Sequence, residues 1–289
     1  MLKRLIMKKK IKVAESDFLP EMLPKNRKEV FFDCLKMRYP VFLWAGIVLF
    51  LFSLPVCLLL LFRDFQIYGL YASFQSGGIN ENELSVALTS YRVSFTLAQI
   101  IALPIFGLGL AGVIKVLRRL IWGEGIFYAA DFKNGIKENG LRYVILFALA
   151  GVIISLCVFI ETYMSDAGNP VRYILFAILI IFLLPAMLYM FSLTAIYNIK
   201  AWGCIKNSFI LYVKTFPVTI LFALILAAVY FGLLSIPNLT VKYILTPILI
   251  VFALPLFITA WLLYSCRVFD KFINKEHHPE YYNKGIGGI

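Results

Sequence analysis

Six long apolar runs that contain no Asp, Glu, Lys, Arg or His constrain this chain more than any other feature. They occupy residues 41–62, 93–114, 143–160, 173–197, 215–236 and 243–264. Each is close to the roughly twenty residues needed to cross about 30 Å of hydrocarbon as a helix. Lipid satisfies no backbone N–H or C=O, so a spanning segment must pair its own. Barrel strands alternate apolar and polar residues, and these runs do not. The expected fold is therefore all-α: a polytopic membrane helix bundle of six transmembrane helices with an N-terminal interfacial helix.

The charges say how such a bundle would sit. Only 15% of the 289 residues are charged, against about 25% in a soluble domain. Of 28 Lys and Arg, eleven lie in residues 1–40, six in 115–142, three in 200–214 and four in 267–284. Only Arg63, Arg92, Arg172 and Lys242 fall in the alternate connections. Basic residues in short loops stay on the cytoplasmic side, so both termini are expected inside. The net charge of +12 is then a topology signal with a secondary attraction to anionic lipid. It does not point to nucleic acid, because no aromatic-interleaved basic domain accompanies it. Three segments follow: a basic tail with an amphipathic helix at 1–40, the membrane domain at 41–266, and a C-terminal tail at 267–289. Within the first, Val30, Phe31, Cys34, Leu35 and Met37 recur at helical spacing, as in a helix lying among headgroups. Leu2, Leu5, Ile6 and Val13 among lysines permit a second, weaker one. The outer segment 63–92 is too small for a domain, with a short helix expected over 81–90 that leads into the second span. Gly168-Asn169-Pro170 reads as a turn.

Chemistry-bearing motifs are few. The five cysteines, Cys34, Cys57, Cys157, Cys204 and Cys266, include no CxxC, so neither a zinc site nor an outer disulfide framework is expected. There is no P-loop and no HExxH. His277 and His278, the two histidines, lie near the C-terminus. Intramembrane proton relays need buried carboxylates or histidines, and the runs have none. Gln99, the single amide inside a span, reads as a helix–helix hydrogen bond, with a substrate contact as the alternative. No catalytic residue, cofactor or metal is expected.

The most distinctive stretch is 103–142. Gly107, Gly109, Ala111 and Gly112 leave one part of the second span nearly bare, which suits close helix packing. Past Arg118 and Arg119, Phe127, Tyr128, Phe132 and Ile136 fall at mostly helical spacing. That segment is expected to lie on the membrane surface or offer an apolar face to a partner, with Phe127, Asp131, Phe132, Lys133 and Asn139 as contacts. Leu103-Pro104, Leu184-Pro185 and Leu254-Pro255 hint at a repeated, proline-bent hairpin.

This stretch resembles the YesL-like bacterial integral membrane proteins. The matching positions are Gly107, Ala111 and Gly112; Arg118 or Arg119; Asp131, Phe132 and Lys133; and Lys137 with Asn139. The lead helix at 26–38 is also similar. So is the ending, Phe269-Asp270-Lys271 with Pro279-Glu280-Tyr281-Tyr282. Leu108 replaces the family proline, which implies a straighter span there. The resemblance implies a bacterial plasma-membrane location and an association with carbohydrate ABC importers, and it carries over no catalytic residues. The leading expectation is a non-enzymatic accessory protein whose partners are the lipid bilayer and ABC importer subunits. The alternatives are a small-molecule facilitator or transporter acting alone, and a lipid- or glycan-modifying enzyme.

Overall fold

The apolar runs form helices that overshoot their hydrophobic limits, because capping groups rather than hydropathy set where they end. The computed structural model describes residues 24–163, 170–197, 199 and 201–287. Helix α1 (Arg27–Met37) starts where the Asn26 side chain accepts the Lys28 and Glu29 amides, both at 3.0 Å, the usual N-cap geometry. A single residue separates it from α2 (Tyr39–Gln75), which has Pro40 in its first turn, where a missing N–H costs nothing. A tight turn with Gly77 at φ 77° leads into α3 (Glu81–Ile121). There Asn80 and Glu83 form a reciprocal capping box, each bond 2.9 Å long. The outer segment at 63–92 is thus mostly the tip of a helical hairpin, and the helix expected over 81–90 forms as the first part of α3.

After α4 (Tyr128–Tyr163) come α5 (Pro170–Ile178), α6 (Leu184–Ile196), α7 (Ala201–Lys214), α8 (Phe216–Leu234), α9 (Leu239–Ile248) and α10 (Leu254–Phe269). All regular structure among the described residues is helical. Among the described residues five helices are long and apolar enough to cross a bilayer: α2, α3, α4, α8 and the continuous rod Leu239–His277. The sixth expected span is helical over 170–196, but a π turn at Leu179–Leu183 divides it and its apolar part, Ile181–Ile196, is shorter. The basic stretch 1–23 and the turn at Gly168-Asn169 lie outside the described residues.

Proline explains two of the interruptions. Pro185 and Pro255 each stand just after a five-residue π turn, at Leu179–Leu183 and Leu249–Ala253. A proline cannot donate to the carbonyl four residues back, and its ring pushes that carbonyl aside. A π turn accommodates both effects. The freed carbonyls are Ile181 O and Val251 O. The first accepts the Tyr212 hydroxyl from α7. The second faces the backbone of Gly46 in α2, where a Cβ would come within 2.6 Å of the Val251 carbonyl carbon. Pro104 has no π turn and lies inside unbroken α3. Gly151 of α4 instead approaches the turn before it, with Ile100 Cα 3.0 Å from where its Cβ would be.

The tightly packed core occupies one half of the bundle, the end that carries most of the basic residues. It includes Val30 and Cys34 of α1, Val41 to Leu49 of α2, Leu110 to Ile121 of α3, Leu188 to Ile196 of α6, and Ile258 to Phe269 of α10. Toward the opposite end, Leu58, Phe62, Phe65, Tyr68, Leu224, Tyr230, Ile244 and Ile248 are exposed. Such surface is compatible with hydrocarbon, where leucine gains nothing by leaving lipid.

Candidate functional site

Most polar side chains with defined partners gather at the basic end. The α3–α4 hairpin closes there on a charged ring. Gly123, at φ 70°, turns the chain after Trp122. Glu124 then pairs with Arg119 at 3.1 Å and Lys284 at 2.7 Å. Burial works against the charged form of Glu124, yet these two cations hold its carboxyl below the usual range. Arg119 also pairs with Asp131, which accepts the Phe127 amide at 2.8 Å and so ties down the start of α4. Tyr281 stacks on Trp122, and Lys284 lies 4.2 Å from the indole centre. The C-terminal segment is thereby fastened to the end of α3.

Arg118, the residue before Arg119, has a buried Nε with no hydrogen-bond partner among the described residues. It donates to Ala195 O at the end of α6, where the helix dipole favours a cation. Three more groups reach the same stretch of α6. Tyr143 donates to Phe191 O at 2.7 Å, and Trp261 donates to Leu188 O at 3.0 Å. With its amide nitrogen turned inward, Asn139 donates to Thr194 O at 3.1 Å. Side chains from α3, α4 and α10 thus converge on one central helix and hold it.

The small residues of α3 divide between two neighbours. A Cβ on Gly107 would stand 2.8 Å from the Phe147 ring of α4, and one on Gly109 would stand 2.5 Å from Phe52 of α2. Gly112 lies against the Phe132 ring, and buried Ala111 offers its carbonyl to Gly135, 2.7 Å from a Cβ there. The glycines that receive α3, Gly135 and Gly151, and Gly46 on α2, were not singled out from sequence. For Gly46 and Gly151 a lone glycine within an apolar run was the available signal; Gly135, in a polar stretch, gave none.

The expected partner-contact set splits. Phe127 is 70% exposed and Lys133 is exposed, so both can meet a partner. Asp131 is 2% exposed, Asn139 is buried, and Phe132 is wedged between Gly112, Trp44 and Phe52. These three are internal. The physical reason is that residues 128–142 are not a surface helix: they are the first turns of α4, laid on α3 by the Gly112–Gly135 contact.

Between α3, α4, α6, α8 and α10 lies a cavity of about 330 Å³. Its walls include Leu103, Phe106, Phe147, Met187, Phe257 and Trp261, and every exposed wall atom is apolar. Ser192, the one hydroxyl residue in the lining, is bonded to Ser265 at 3.0 Å. The space suits an acyl chain or another apolar group and has nothing for a sugar hydroxyl to bond. Gln99 is half-buried and does not line it. At the opposite end Asp64 pairs with Arg63 at 2.7 Å and with Lys242, and accepts Tyr243 OH at 3.0 Å. Lys242, which the sequence places in an outer connection, is a buried clamp between α2 and α9. Among the described residues no three His, Cys, Asp or Glu side chains gather as a metal site would require.

No family model matches the chain, and no curated protein or solved structure matches it. Fold and site together define an all-α polytopic membrane protein whose polar networks are concentrated at its basic end.

Proposed function

We propose that this chain is a non-enzymatic accessory protein of the bacterial plasma membrane, associated with a carbohydrate ABC import system. The observation that carries the reading is the apolar central cavity. No ionisable side chain among the described residues lines it, whereas ion coupling needs a charge or ion site at membrane depth. The YesL-like resemblance supplies the importer association. The contact surface in this reading is what the basic end leaves exposed: Phe127, Lys133 and Trp202, the last 77% exposed.

Exchanging Phe127 for Ala together with Lys133→Glu is expected to reduce copurification of importer subunits about tenfold, as loss of an aromatic anchor does. The melting temperature stays unchanged. Sugar uptake by the purified protein in liposomes under a proton or sodium gradient, with no importer subunit copurifying, would promote the transporter alternative.

The basic end faces the cytoplasm in this proposal. Single cysteines introduced at Ser76 and at Lys133, both exposed, are expected to react with an impermeant thiol reagent outside and inside respectively. Labelling of both from one side overturns the orientation. Native background is low at Cys34, whose thiol is pushed up to about 11 by burial.

A further inference from the structure

A second feature of the basic end is not used by the proposed partner surface. A cleft of about 640 Å³ opens between the start of α1 and the end of α10. Lys25, Asn26, Arg27 and Lys28 form one wall, Arg267, Asp270, Lys271 and Lys275 the other, and Tyr282, Asn283 and Ile286 close it. Six cationic side chains therefore surround one carboxylate.

That carboxylate is already engaged. Asp270 Oδ2 accepts Arg27 Nη2 at 2.7 Å, and Oδ1 accepts Asn274 Nδ2 at 2.8 Å and the Asn283 amide at 3.3 Å. Arg27 Nη1 donates to Lys284 O at 2.6 Å. Arg27 itself is 9% exposed, and its buried Nε has no acceptor among the described residues. The other five cations have no carboxylate within ion-pair distance among the described residues. Arg267, Lys271 and Lys275 follow one another at four-residue intervals across the π turn Asp270–Asn274 and line the same wall, where their like charges repel. An anion entering the cleft would relieve this repulsion.

We propose that this cleft binds the phosphate of an anionic phospholipid headgroup. Two observations select lipid over a soluble anion. On α1, which forms one wall, Phe32 and Met37 are 65% and 69% exposed, and Tyr39, at the start of α2, is also exposed. These are apolar anchors at the depth where the first spanning helix begins, so the cleft lies at headgroup level. Six further Lys and Arg precede it in residues 1–23, and each basic group near a membrane surface adds attraction to anionic lipid.

The test is native mass spectrometry of the full chain in mild detergent, titrated with phosphatidylglycerol or phosphatidylcholine. Bound phosphatidylglycerol is expected to exceed phosphatidylcholine. The triple variant Arg267→Gln, Lys271→Gln, Lys275→Gln alters three exposed residues and should weaken phosphatidylglycerol binding by roughly a hundredfold. A charge-matched control, Lys133→Gln, Lys137→Gln, Lys206→Gln, should not. Inorganic phosphate is the second arm, read as a thermal shift. If phosphate stabilises the protein as much as phosphatidylglycerol does, the lipid assignment is overturned in favour of a soluble anion. Equal binding of the two lipids, or equal loss in the two triple variants, overturns the cleft.

Discussion

Replacing Gly46 by alanine is expected to be the most damaging single-methyl change in this protein. The added Cβ would overlap the Val251 carbonyl, with the carbonyl carbon only 2.6 Å away. No side chain can swing clear, because the obstacle is backbone. It also lies in the π turn before Pro255, where the lost proline N–H has already displaced that carbonyl. Relief requires α2 and the α9–α10 rod to separate. Overpacking typically costs about 1–3 kcal/mol, and a backbone obstacle belongs at or above the top of that range. The measurement is the melting temperature of the detergent-solubilised protein. Gly69→Ala in the same helix is the control, since nothing lies within 4 Å of its Cβ position. There the substitution should be neutral or gain about 0.5–1 kcal/mol from helix propensity. Equal melting temperatures for the two variants would show that α2 and the π turn do not approach as described.

Asp270→Ala should have an effect at least as large. It removes the partner of a guanidinium that is nine-tenths buried and strips acceptors from Asn274 and the Asn283 amide. Breaking a buried pair from one side costs about 3–5 kcal/mol. Because the same carboxylate joins α1, the end of α10 and the C-terminal segment, the loss should appear twice: as a lower melting temperature and as faster tryptic cleavage at Lys284. Adding Arg27→Met should recover part of the stability, since the stranded charge is then gone. A double variant no more stable than Asp270→Ala alone would mean that the pair contributes little and that Asp270 acts through its two asparagines.

The α3 glycines stood out because three lie within six positions of one span. Gly46, Gly135 and Gly151 did not, because each is isolated in sequence and its meaning depends on the helix that crosses it. Asp131 and Asn139 looked like surface groups for a partner. A polar residue between two basic helix ends is indistinguishable in one dimension from one that faces Arg119 or the end of α6. The Leu-Pro steps were visible, but whether a π turn absorbs them is decided by what meets the freed carbonyl: Tyr212 in one case and Gly46 in another.

By itself the sequence determined that the chain is helical and made for a membrane. Charge-free apolar runs of spanning length leave the backbone no other way to pair its polar groups. Only the tertiary structure decided where the packed core lies, which charges are internal and which are free. Those outcomes depend on contacts between residues as distant along the chain as Arg27 and Asp270. Hydropathy ranks segments by their affinity for lipid and carries no information about which segments meet.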